Sequence, residues 1–193
     1  MKNSLLLFAF LLVTFNAMSQ ELPYATIPDA PSEFTAVNVT ARMIDGLGFR
    51  LYWATEGLNP DDLAFQGTDE ARTILETCEH IRGMSSGILR TVSKEPIVSV
   101  DYGNQTFEEV RSETLQNLYK AAVILRESSD EDMEEMNIVF KRNGGESRFP
   151  FWNMINGQIE DSVWHAGQIV TLRRMAGNPI NPKVNVFMGK LND

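Results

Sequence analysis

The chain has 193 residues, 43% hydrophobic and 22% charged, with a formal net charge of −9. Those proportions describe one soluble globular domain with a core of its own. The acidic balance excludes a nucleic-acid partner, which needs a basic surface, and the lone Cys78 excludes an internal disulfide.

Residues 1–19 read as a secretion signal. Lys2 precedes an apolar run from Leu5 to Phe15, and Ala17-Met18-Ser19 supplies small residues where a signal peptidase cuts. The run is too short for a comfortable membrane span. The expectation is therefore an exported protein, periplasmic or secreted, that starts at Gln20 and has no stable membrane insertion after signal cleavage. Residues 20–36 carry Pro23, Pro28 and Pro31 and are expected to form an extended lead-in over the surface.

Residues 37–193 form one helical domain in this reading. The first helix spans 37–56, with Val39, Met43, Leu47 and Tyr52 as its apolar stripe and Gly57 as its stop. Gly46 and Gly48 weaken the helix locally and let another backbone, or a ligand, come close. Leu58–Leu63 makes a turn or one short helical turn. Thr68 or Asp69 caps the second helix, which runs to Val92 with Ile74, Cys78, Ile81 and Ile88 inward. Cys78 is a small apolar residue there. Ser93–Asn104 is a long loop with a short extended piece.

Thr106 and Glu109 have capping-box spacing. The third helix continues through Val110, Leu115, Leu118, Ala122 and Leu125 to Arg126. Ser128–Asp132 is an acidic loop or helix start. Asn137–Arg142 and Ser147–Phe149 flank Asn143-Gly144-Gly145 as a small hairpin. Pro150 opens the fourth helix, which ends near Ala176-Gly177, and the tail to Asp193 is extended. The fold class is all-α: a four-helix bundle with a hairpin-like insertion before the last main helix.

The fourth helix carries DSVWHAGQIVTLRRMAGNP, Asp161–Pro179. Asp161, His165, Gln168 and Leu172 share one stripe, beside an apolar stripe of Ile159, Val163, Ala166 and Val170. A carboxylate and an imidazole one turn apart can reach the same cation. Their oxygen and nitrogen donors suit a divalent transition metal such as zinc, nickel, iron or manganese. A third ligand must come from elsewhere, and His80 is the only other histidine. It shares a helix face with Thr73, Thr77, Met84 and Gly87, whose small or flexible side chains leave room beside the imidazole. The candidate metal ligands are thus His80, Asp161 and His165. The alternative is a surface or half-buried Asp161–His165 hydrogen bond without metal.

His80 in ILETCEHIRGMSSGIL, with His165 and the Gly167-Gln168 that follows, resembles the DinB-like family over about residues 37–180. The resemblance implies a four-helix bundle with an unusual connection between its second and third helices, where this chain has Ser93–Asn104. It also implies a metal held at one end of the bundle by three histidines. Activities in that family include thiol S-transfer and metal-dependent isomerase or hydrolase chemistry on small molecules. The departure is Asp161, which stands where the family's first helix-four histidine falls. Carboxylate still ligates, but it alters metal preference. The expected function is metal-dependent hydrolysis or thiol transfer on a small-molecule substrate, and a homodimer is compatible with it. The alternative is a non-catalytic binding or scaffold protein that kept the bundle while its metal site decayed. In the first case Gln168, Trp164, Tyr52 and Trp53 are candidate pocket linings and Glu56 a nearby base. Arg173 and Arg174 are expected to pair with surface or loop acids.

Overall fold

The structure is a computed structural model that describes residues 21–142 and 144–193; the signal segment at 1–19 lies outside the described residues. In chain order the elements are α1 (Ala36–Thr55), α2 (Pro60–Leu63), α3 (Ile74–Val92), α4 (Phe107–Glu127), α5 (Asp130–Glu135), β1 (Ile138–Arg142), β2 (Gly145–Phe149), α6 (Trp152–Met154), a π-helical turn (Ile155–Ile159), α7 (Glu160–Met175), β3 (Val184–Asn185) and β4 (Lys190–Leu191). The protein is therefore mostly helical, with strands confined to the antiparallel pairs β1–β2 and β3–β4 among the described residues.

Local capping sets most of the helix starts. Thr35, Thr73 and Thr106 each accept a hydrogen bond from a first-turn N–H of α1, α3 and α4. Glu76 and Glu109 reach back to complete the box in the last two. Asn59 with Asp62, and Ser129 with Asp132, do the same for α2 and α5. The second long helix thus begins after Thr73, not after Thr68 or Asp69. Only Thr73 has a carboxylate three residues on that closes a box over an apolar run.

α1 packs against α4 and α7, and α3 packs against the same two helices. Their inner faces meet in one core in which Leu47, Ile81, Leu118 and Ile169 are fully buried. α1 turns inward through Val37, Ala41, Ile44, Leu47, Leu51 and Ala54, while Val39 is exposed. The expected stripe is off because the buried face also carries Thr40, Asp45 and Thr55. Asp45 is accommodated by Arg126 of α4 at 2.8 Å and the Tyr24 hydroxyl at 3.1 Å. Thr40 and Thr55 return their hydroxyls to backbone carbonyls one turn earlier.

The lead-in is non-helical, as expected, but it is packed rather than merely draped. Tyr24, at φ +79°, is buried against Gly48, where a Cβ would come within 2.3 Å of its ring. Trp53 Nε1 donates to the Ala25 carbonyl at 3.2 Å. The tail also differs from a plain extended segment. β3 and β4 pair as a small hairpin, and Ile27 N donates to the Gly189 carbonyl at 2.8 Å. The 93–104 connection contributes its extended piece through Ile97, which bridges to β1 in parallel fashion.

The fourth long helical run is not continuous. Pro150 precedes it, and the π-helical turn around Gly157 (φ −84°, ψ −105°) divides α6 from α7. The π-helical turn buries Ile159, and α7 buries Ser162, Ala166, Ile169 and Arg173. Val163 is exposed, so the inward stripe is one position from the hydropathy pattern. Arg173 does not pair with acids. It donates to the carbonyls of Trp53, Ala54 and Glu56 at 3.2, 2.9 and 3.0 Å and to Asn178 O at 2.7 Å. One guanidinium thus satisfies the open carbonyls at the end of α1 and ties that end to α7. Among the described residues no helix is long and apolar enough to cross a membrane.

Candidate metal centre

α3 and α7 lie side by side. α3 presents His80 and α7 presents Asp161 and His165, one turn apart. One donor atom from each of the three residues lies within 4.8 Å of the others. Asp161 approaches both rings: its Oδ2 is 3.8 Å from His80 Nε2 and its Oδ1 is 3.5 Å from His165 Nε2. The imidazoles meet edge to face at a centroid distance of 4.8 Å.

A nitrogen–oxygen hydrogen bond needs about 2.7–3.2 Å, so neither histidine is satisfied by Asp161. Donors around a tetrahedral metal at bond lengths of about 2.0–2.1 Å are separated by about 3.4 Å. The observed gaps are a little wider than that edge, and small side-chain rotations close them. The three residues thus form a group that could hold a metal ion.

The tautomer of His165 agrees. Its Nδ1 lies 2.6 Å from Gln168 Oε1, and an amide oxygen only accepts, so Nδ1 carries the hydrogen. Nε2 is the nitrogen that faces Asp161. Such an outer hydrogen bond is how proteins fix the orientation of a ligating imidazole. His80 is held below the ordinary imidazole range, first by burial and then by Arg72 and His165, against the opposing pull of Asp161. A neutral ring is the form that ligates.

A groove of about 610 Å³ runs beside the group and takes His165, but not His80 or Asp161, into its lining. Trp164, His165 and Gln168 line its α7 side, Thr77 its α3 side, and Ala71 and Arg72 the connection between α2 and α3. Trp164 and Gln168 are where the sequence reading put them. Tyr52 and Trp53 are not: they pack on each other edge to face, and Tyr52 also lies under Arg111. Glu56 is held by Arg111 and is no member of the three-residue group. Cys78 is buried, which pushes its thiol up to about 12 and suits a packing role. Arg72 went unnoticed in the sequence. It directly precedes the cap Thr73, two helical turns before His80, and placing the helix start at Thr73 brings it to the mouth of the site.

No family model, curated protein or solved structure matches the chain.

Proposed function

We propose that the chain is an exported protein of the DinB-like kind that binds one divalent transition metal through His80, Asp161 and His165 and acts on a small molecule by hydrolysis or thiol transfer. The observation that carries this reading is the convergence of two imidazoles and a carboxylate, from two helices, at separations too long for hydrogen bonds and close to those around a metal ion. The packing of α1, α3, α4 and α7 about one core supports a four-helix bundle, and the long 93–104 connection supports the family's topology. The apolar leader supports export. A metal held by these groups supplies Lewis acidity to a bound substrate. The chain's own contribution is to orient His165 through Gln168, to hold His80 below the ordinary imidazole range, and to open a groove beside His165.

A specific observation favours a second reading. Asp161 is 44% exposed at its side chain, and it stands where the family has a histidine. A scaffold protein that had lost its metal would tolerate that replacement.

Zinc titration followed by calorimetry separates the two. His80→Ala and Asp161→Ala are each expected to weaken zinc binding by about 10-fold or more, the scale of losing one ligand or its support, with helicity by circular dichroism unchanged. Equal zinc affinity in both variants and the parent would reject the three-residue site.

A further inference from the structure

The groove beside the metal centre has a charge pattern at odds with the rest of the molecule. The protein carries a formal net charge of −9. Yet the permanently charged side chain lining this groove is a cation, Arg72, and no carboxylate joins it in the lining. Arg72 is solvent-exposed and forms no ion pair among the described residues, although Asp69 and Glu70 are near it in sequence. A guanidinium left free at the edge of a groove presents a planar fork of donors that matches a carboxylate.

The remainder of the lining is apolar or small. Trp164 is 73% exposed, so most of its indole face is open to the groove and solvent. Ala71 and Leu172 add apolar surface, and Gly167 has open space where a side chain would stand. Trp164 is the most exposed of the large apolar residues of α7, ahead of Met175 and Val163. It offers a flat surface for an apolar body of a ligand.

We infer that the groove recognises a small organic carboxylate with an apolar body, its carboxylate on Arg72 and its body on Trp164, beside His165. This rests on the groove being the substrate face of the proposed metal centre and assigns to that centre a substrate class. Larger polyanions are disfavoured, because one arginine cannot offset the acidic surface around it.

The test uses the mature chain with 3-phenylpropanoate and its neutral isostere 3-phenylpropanamide as probes. Affinities are read by titration calorimetry, with and without zinc. The expected result is that the carboxylate binds at least about tenfold more tightly than the amide, the scale of one charge-assisted hydrogen-bonded pair. Arg72→Gln is expected to erase that preference while leaving amide affinity and zinc stoichiometry unchanged. Trp164→Ala is expected to weaken both probes. Equal affinity for the two probes, a preference that survives Arg72→Gln, or no binding of either probe would overturn the inference. The metal reading is judged separately by zinc stoichiometry: a chain that takes up no zinc yet binds the carboxylate through Arg72 would fail the metal centre and keep the recognition.

Discussion

Single residues hold together parts of the chain that are far apart in sequence. Arg173 is 2% exposed and donates to three carbonyls at the end of α1. Arg173→Met keeps much of the apolar stem but leaves those carbonyls unpaired, and is expected to cost about 2–3 kcal/mol, read as a lower urea midpoint with an unchanged slope. Asp45 behaves differently. Burial raises its carboxyl above the ordinary 3.8, despite Arg126 and the Tyr24 hydroxyl pulling the other way. The folded chain then holds the Asp45 proton more tightly than the unfolded chain does. The contribution of this group is fully present below 3.8 and is lost as pH rises through its raised folded value. The melting temperature of the parent minus that of Asp45→Asn should become more positive as pH falls from 7 toward 4. A difference that shrank on acidification would mean that the Arg126 ion pair outweighs burial.

At the scale of elements, α1 depends on the lead-in that crosses it. The Tyr24 ring occupies the space a side chain at Gly48 would need. Gly48→Ala is expected to destabilise the protein by about 1–3 kcal/mol through overpacking. Combining it with Tyr24→Ala should cost less than the sum of the two single changes, since the clash is then absent; strict additivity in thermal melts would show that the two positions do not interact. The same element shows what the sequence could and could not reveal. The capping boxes at Thr106 and the β1–β2 hairpin were legible, because their signals are local residue types at fixed spacing. The inward faces of α1 and α7 were each misjudged at one position or more. Asp45 and Arg173 are buried through partners that come from other elements, and hydropathy periodicity has no access to those partners. The π-helical turn before α7 was equally hidden: Gly157 permits it, but a lone glycine does not announce it.

At the scale of the whole molecule, folding brings His80 to a helix that begins 80 positions later, and the three candidate ligands meet only because α3 and α7 are neighbours. The candidate triad was legible because histidine is so scarce here: with two in the chain, both on helices, few pairings existed. Arg72 was not, since its part in the groove depends on how the connection after α2 folds back. A ligand that binds the folded chain alone stabilises it by mass action. Zinc at about 100 times its dissociation constant should add about 2.7 kcal/mol, which for a domain of this size raises the melting temperature by about 5–11 °C. Chelation with EDTA should reverse the rise, and His165→Ala should show none of it.

Metal content bears most directly on the central claim. The mature chain from Gln20, freed of any tag, would be analysed by plasma mass spectrometry beside His165→Ala after both are incubated with zinc, nickel, iron or manganese and desalted. The expected result is about one metal per chain in the parent, lost in the variant. No retained metal with any of these ions, or equal retention in the two proteins, would contradict a metal centre built from His80, Asp161 and His165.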